Sequence, residues 1–556
     1  MKTFPAILDR REFADIDRHF ASWVGRFGGP ETVIVGAAAL SRNLRLGHIC
    51  LDPASGPADL DAETADFQWP TLETWRAALE QNRAVGGPDD ARPLVLDHAG
   101  RLYLRRYWEY EKSLSRAILQ RCDQTVTGNS MGDDLQQLAI ETALSRHFLV
   151  ISGGPGTGKT TTVLKILERM LALPGNERLR VALAAPTGKA AARLEEALRS
   201  GNELNSRLPK SASTLHRLLG AHPDSAALRH NAANPLPVDV MIVDEASMVP
   251  LAMMAKLFDA LPAKARVILL GDAHQLASVE PGYVLGDIAA AAEAPGSPLR
   301  GSLVALQKNY RFGNRSAIFA LSSAVRDGDE DHVFEILKAG EKPDLVTGET
   351  PSAAQLLHEL KPRILAGYSG YLKETDPANA LKKFQQLRVL CALRNGPFGV
   401  EAMNLNIEAI LRAEGLVTDG RPACGTPVLV TRNDADLRLF NGDTGILLPD
   451  ESGELMAWFA DEQGALRRFA PARLPEWEPA FAMTVHKSQG SEYDNVLLVL
   501  PPRPGPVCTR ELVYTGLTRA RERVELWFRE PVLRAAVASP VRRASGLRER
   551  LCRRVE

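Results

Sequence analysis

The stretch Ile151–Thr162 reads ISGGPGTGKTTT and sets the class of the fold. It carries GxxxxGK followed by threonine, with Gly153, Gly158, Lys159 and Thr160 at the defining positions. Such a loop lets the backbone from Gly153 through Gly154, Pro155, Gly156 and Thr157 to Gly158 close around phosphate oxygens, with Thr161 just inside the following helix. Lys159 then reaches the β- and γ-phosphates of ATP, and the Thr160 hydroxyl is suited to ligate Mg²⁺. An apolar run, FLVIS, precedes the loop, and TTTVLKILERMLA after it has helical spacing. The loop therefore joins a buried strand to a helix N-terminus, where anions bind.

Working outward, MIVDEAS ends a second apolar strand in adjacent carboxylates. Asp244 is the expected metal-shell ligand, and Glu245 is expected to orient or deprotonate the attacking water. FLVIS, LRVALAA, VDVMIVDEA and ARVILLGD lack polar alternation, as strands covered on both faces do. A second set follows in LRVLCAL, NVLLVL and VELWF. The fold class expected is α/β with two parallel-sheet domains, near 126–325 and 326–556. Between the later strands, residues 425–477 alternate apolar and polar side chains around NGD and DESG turns, predicting a small inserted β-barrel. Residues 1–125 read as a small, mainly helical domain, with two short strands around HAG and a helix through EKSLSRAIL. Its Tyr103, Tyr107, Trp108 and Tyr110 sit among arginines, either packing that domain or stacking on bases.

Composition narrows the class further. The chain has 556 residues, 67 basic against 68 acidic, so any polyanion site must be a local groove. Six scattered cysteines form no CxxC pair, which argues against a zinc site or a disulfide framework. The N-terminus has no apolar core of signal length, and the longest apolar run, Val33–Leu40, is far short of a membrane span. A cytoplasmic protein is expected. The basic tail VRRASGLRERLCRR reads either as a helix face closing the fold or as a phosphate-binding segment.

The later motifs carry a resemblance. APTGKAAARL (Ala185–Leu194), STLHRLL (Ser213–Leu219), VDEAS, GDAHQLASVEPG (Gly271–Gly282), LQKNYRF (Leu306–Phe312), AMTVHKSQGSEYDNV (Ala482–Val496) and VYTGLTRARERVELW (Val513–Trp527) follow one another in order. Together they resemble superfamily 1 helicases of the 5′→3′ subclass, and within them the RecD family of exodeoxyribonuclease V (RecBCD). HICL and RLYLRRYW extend the resemblance weakly into the N-terminal region.

The resemblance implies RecA-like P-loop NTPase domains and an ATP-driven 5′→3′ DNA helicase subunit of a double-strand-break repair and recombination machine. RecB-like and RecC-like partners would complete a heterotrimer docked through the N-terminal domain, with any nuclease in a partner. Gln136 matches the adenine-reading glutamine, with Gln137 one register away. Gln275 would sense the γ-phosphate, and Arg311 and Arg519 would reach across the cleft as arginine fingers. Contacts to single- and double-stranded DNA would come from Thr187, Lys189, Thr214 and His216 in the first domain. In the second they would come from Asn404, Thr484, His486, Lys487 and Ser488, with Glu492 and Tyr514 supporting or stacking. Two other readings stay open: a free-standing helicase of the same superfamily, and a structural subunit with a vestigial ATPase.

Overall fold

The computed structural model describes residues 8, 10, 12–52, 71–123, 134–202, 209, 211–222, 225–311, 316–340, 342–417, 420, 422–434, 436–461 and 464–553. The expected domain boundary near 125 and parts of the N-terminal and C-terminal segments lie outside them.

Among the described residues, the N-terminal region holds four main helices and a small sheet: β1 (Cys50–Leu51), β2 (Val85–Gly86), β3 (Leu94–Leu96) and β4 (Leu102–Leu104), in the order β1-β4-β3-β2. The HAG turn joins β3 to β4 as the alternation implied, and the helix Arg105–Cys122 follows at once. The region is mainly helical, with the short strands beside the HAG turn joined into this sheet. Tyr103 and Trp108 are buried edge to face with ring centroids 5.2 Å apart, so these two aromatics pack the domain.

Next come β5 (Phe148–Gly153), β6 (Val181–Ala185), β7 (Ser213–Thr214), a hairpin of β8 (Ala221–His222) and β9 (Ser225–Leu228), then β10 (Val240–Val243), β11 (Arg266–Gly271) and β12 (Leu303–Leu306). Six of them form one parallel sheet in the order β12-β5-β11-β10-β6-β7. Its apolar strands serve two cores at once. Phe148 and Val150 of β5 join one apolar cluster, while Leu149 and Ile151 join the cluster on the other face. β5 lies inside the sheet, which carries the phosphate loop to its carboxyl edge.

The second parallel sheet uses β13 (Leu345–Glu349) and β14 (Leu387–Cys391). Then an excursion supplies β15 (Pro427–Val430), β16 (Thr444–Pro449), β17 (Leu455–Ala460), β18 (Leu466–Phe469) and β19 (Trp477–Pro479) before the chain returns as β20 (Ala482–Thr484), β21 (Tyr493–Val499) and β22 (Ala520–Phe528). The parallel order is β13-β22-β21-β14-β20. Here too alternate residues divide between faces, with Val496 and Leu498 on one and Leu497 and Val499 on the other. The inserted strands pair antiparallel in the order β18-β17-β16-β15-β19, leaving β18 and β19 as edges. Among the described residues no pairing joins β18 to β19, so the segment expected as a small β-barrel is a five-stranded antiparallel sheet there. The helix Ala317–Asp327, which crosses the expected boundary near 325, buries Ile318, Leu321 and Val325 in the core of the second sheet.

The basic C-terminal tail closes the fold. Ser545 Oγ and the Gly546 N–H donate to Glu111 Oε1 at 2.8 and 2.9 Å, and Arg550 Nε donates to Glu111 Oε2 at 3.4 Å. Arg101 clasps both oxygens of Glu549 at 2.9 Å, and Arg543 donates to the carbonyls of Glu280 and Gly282. The tail thus ties the N-terminal helix Arg105–Cys122 to the first parallel sheet's layer. Glu111→Ala would orphan the groups it collects, at a local cost of about 1–3 kcal/mol. Tryptic cleavage within residues 541–553 is then expected to run about tenfold or more faster, read by timed proteolysis and mass spectrometry.

Candidate nucleotide and nucleic-acid site

The loop after β5 owes its shape to positive φ at Gly156 (+79°) and Gly158 (+81°), a backbone region that side chains resist. Gly158 caps the helix Lys159–Ala172. Lys159 Nζ folds back onto the loop and donates to the carbonyls of Gly153 at 2.6 Å and Gly154 at 3.1 Å. Thr157 Oγ1 donates to the Gly154 carbonyl at 2.8 Å, and Thr160 and Thr161 open the helix. Asn309 and Tyr310, after β12, brace the loop from outside: Asn309 Nδ2 donates to the Pro155 carbonyl at 2.9 Å and the Tyr310 N–H to that of Gly156 at 2.8 Å.

Asp244 and Glu245 follow β10, and the Glu245 N–H donates to Asp244 Oδ1 at 2.8 Å. Glu245 holds φ +50°, a strained backbone for a residue with a side chain. Burial and the neighbouring Glu245 charge raise the Asp244 pKa, partly offset by Lys159. An adjacent, partly exposed carboxylate pair of this kind is a donor set that fits a hard divalent cation.

The two parallel sheets meet directly above this loop. The buried hydroxyl of Tyr514, on the second sheet's helix Arg510–Leu517, donates to Asp272 Oδ2 at 2.8 Å. A Cβ built on Gly154 would come within 2.8 Å of that hydroxyl. Gln275 Nε2 donates to the same Asp272 oxygen at 3.3 Å, and its buried Oε1 has no partner among the described residues. The Leu276 N–H donates to Thr515 Oγ1 at 3.0 Å, and Gln489 Nε2 donates to the Leu276 carbonyl at 2.7 Å.

Both arginines lie at this junction, though not as two fingers from the far side. Arg311 belongs to the segment after β12, on the loop's own side, and pairs across the junction with Glu492. Arg519 comes from the second sheet. It is 2% exposed, and it donates to the carbonyls of Thr515 at 3.1 Å and Ser491 at 3.2 Å. Burial lowers its pKa, while the charges of Glu245 and Glu492 act to raise it. Burial pushes the Glu492 carboxyl up, but the Arg311 and Arg193 charges outweigh burial and hold its pKa down.

On the opposite side of the loop, Gln136 Nε2 lies 2.7 Å from a Cβ built on Gly158, while Gln137 turns to Glu141 of its own helix at 2.9 Å. Gln136 and Gln137 line a cleft of about 500 Å³ with Lys165 and Arg169.

The residues expected to touch DNA divide into two groups. Thr187 and Thr214 cap the helices that follow them, accepting from the N–H of Ala190 at 3.2 Å and of Arg217 at 3.3 Å, and His216 is exposed beside Thr214. Burial depresses the pKa of Lys189 and of His486. Thr484 Oγ1 accepts from the Lys487 N–H at 3.2 Å, and Lys487 stays partly exposed. Four others have side chains engaged within the chain itself. Asn404 is buried, donating to the carbonyls of Pro479 and Ala482, both at 3.0 Å, and accepting from the Ala482 N–H at 2.8 Å. Ser488 is fully buried in a turn with the Val485 carbonyl, Glu492 is spent on Arg311 and Arg521, and Tyr514 sits over the phosphate loop.

Comparisons with known proteins bear on this site. The family model described as "RecBCD enzyme subunit RecD, N-terminal domain" matches residues 9–103, an AAA domain matches 136–281, and a "UvrD-like helicase C-terminal domain" matches 479–526. The RecBCD enzyme subunit RecD of Mycolicibacterium smegmatis is 40% identical over 94% of this chain and 94% of its own length. This chain belongs to the RecD family.

The Haemophilus influenzae RecD is 36% identical over 86% of this chain and 84% of its own length. The ATP-dependent RecD2 DNA helicase of Deinococcus radiodurans is 33% identical over 81% of this chain and 59% of its own length. As a RecD-family member the chain is an ATP-dependent DNA helicase of recombination and repair. Among the described residues, no helix is long and apolar enough to cross a membrane.

Sequence reasoning missed several members of this RecD site. Asn309 and Thr515 each bond backbone distant in sequence, at Pro155 and Leu276, and no local pattern marks them. Arg193, whose charge bears on Asp244, Glu492 and Arg519, lies in the quoted APTGKAAARL but reads there as an ordinary helix arginine. The Gly154–Tyr514 approach gives a direct test. A methyl at Gly154→Ala would force the hydroxyl away, and a misplacement of about 1 Å at such a site costs about a hundredfold. ATP turnover by Gly154→Ala is expected to fall by about that factor in a steady-state assay, with the melting temperature little changed.

Proposed function

We propose that this RecD-family chain is the 5′→3′ motor subunit of a heterotrimer with RecB-like and RecC-like partners, gripping single-stranded DNA between its two parallel sheets. The observation that carries the reading is the Tyr514–Asp272 hydrogen bond beside Gly154, which makes a helix of the second sheet part of the first sheet's phosphate loop.

In this reading the backbone of residues 153–158, Lys159, Thr160 and Thr161 cradles the phosphates of ATP, and Gln136 meets the adenine in its cleft. Thr160 and Asp244 would hold Mg²⁺. The ion would supply charge neutralisation at the phosphates when bound. Lys159 exchanges its two loop carbonyls for phosphate oxygens. Glu245, held at a strained φ, orients the attacking water. Arg519 brings positive charge from the second sheet, and Arg311 does so from beside the loop. Gln275, whose Nε2 donates to Asp272 and whose Oε1 has no partner among the described residues, would accept from the attacking water and so respond to the γ-phosphate.

ATP draws the sheets together through these contacts, and hydrolysis releases them. The strand path runs over Thr187, Lys189, Thr214 and His216 of the first domain and Thr484, His486 and Lys487 of the second. A backbone grip of hydroxyls and few cations is indifferent to base sequence. The duplex opposes each opened pair by about 1.4 kcal/mol, within reach of a nucleotide-driven step. The N-terminal region, matched to the RecD N-terminal family, is the proposed docking domain for the partners.

Strand displacement on 5′-tailed and 3′-tailed duplexes, with and without RecB-like and RecC-like subunits, tests the reading. Unwinding is expected only from the 5′ tail and to vanish in Lys159→Gln while DNA binding persists. Unwinding from the 3′ tail alone, unchanged unwinding by Lys159→Gln, or failure to co-purify with the partners contradicts the corresponding part.

A further inference from the structure

A cleft of about 850 Å³ separates the inserted antiparallel sheet from the second parallel sheet, lined by Arg394, Thr431, Asn441, Trp477, Glu478 and Lys487 among others. Three of these residues form a charge bridge from three different parts of the chain. Glu478, on β19, takes Lys487 Nζ on Oε1 at 2.5 Å and Arg394 on Oε2 at 3.3 Å. Lys487 belongs to the turn after β20, and Arg394 follows β14. Arg394 also faces Glu401 at 3.3 Å, and Arg432 faces Glu476 at 3.4 Å near the same cleft.

The backbone beside Glu478 is pinned. Asn404 holds the Pro479 carbonyl and Arg388 the Ala480 carbonyl, so the carboxylate leaves its two cations by side-chain rotation and not by strand movement. A phosphodiester presents two oxygens in much the same fork as a carboxylate. The cations that would meet a DNA backbone here are therefore already neutralised by a residue of the same chain.

We propose that Glu478 is an internal competitor for polynucleotide phosphate at the Lys487–Arg394 pair, a latch that keeps the grip of the second domain weak. The proposal rests on the strand path given above. Each phosphate that enters must displace Glu478 and then lie beside an unpaired carboxylate. Exchanging one anion for another also releases few counterions, which flattens the salt dependence of binding. A translocating domain has to let go once per step, and a tethered competitor makes release easy without removing the cations that guide the strand.

The test measures binding of a fluorescent oligo-dT to the full chain across a salt series. It compares wild type, Glu478→Gln, Lys487→Gln and the double variant, each checked for native circular dichroism and melting. Glu478→Gln is expected to bind about three- to tenfold more tightly at low salt, the advantage shrinking as salt screens it, with a log–log slope steeper by about one. Lys487→Gln should bind more weakly, and the double variant should lose most of the gain. If the glutamine variant does not fold, Glu478→Asp, too short to hold both cations, should show the same direction. Wild-type binding with no gain, or a loss, in folded Glu478→Gln overturns the latch alone, since a purely structural bridge between the sheets gives that result. Absence of oligo-dT binding by the wild type overturns the strand path, and the latch with it.

Discussion

Among the buried contacts that join the two halves of this molecule is a tyrosine hydroxyl. Tyr514 reaches Asp272 at 2.8 Å over the phosphate loop, close enough to Gly154 that a methyl there would push the hydroxyl aside. Around that contact the polar groups of both sheets converge: Gln275 on the same carboxylate, Thr515 and Gln489 on the backbone of Leu276, and Arg519 held by two carbonyls. Buried polar groups without partners are costly, so these bonds make the relative position of the sheets a matter of a few discrete contacts. A junction of that kind switches between arrangements more readily than it bends.

The electrostatics follow the same geometry. Asp244 and Glu245 place negative charge next to Lys159, while Arg311 and Arg193 on the loop's own side and Arg519 from the side of the second sheet share Glu492 as their counterweight. Burial opposes the charged form of each of Asp244, Arg519 and Glu492, and each is kept ionisable by a specific opposite charge. In the proposed mechanism a triphosphate entering this arrangement would redistribute these compensated charges. At the proposed strand face, Glu478 against Lys487 and Arg394 repeats the pattern at a more exposed site.

Much of this was legible in the residues because it is local. The phosphate loop, the DE pair and the apolar strands are contiguous, and their chemistry depends on immediate neighbours. Strands read as apolar without alternation do lie inside parallel sheets, with successive residues feeding opposite cores. The misplacements arose where a polar side chain looks the same whichever partner it has. Asn404 and Ser488 are motif residues of the right type for a DNA contact, yet the chain uses them to hold its own turns. Tyr514 and Asp272 are 242 residues apart, and no spacing rule joins them. The alternation in residues 425–477 predicted antiparallel strands but not whether their edges would close, because closure depends on pairing between the first and last strands.

We propose that the Tyr514 hydroxyl couples events at the strand to events at the phosphate loop. The most direct measurement of that coupling is ATP turnover of Tyr514→Phe with and without single-stranded DNA. Removing a charge-assisted hydrogen bond of about 1.5–3 kcal/mol while leaving the ring should lower DNA-stimulated turnover at saturating ATP about tenfold or more, with the KM for ATP and the fold preserved. Full DNA stimulation in a folded Tyr514→Phe protein would contradict the account.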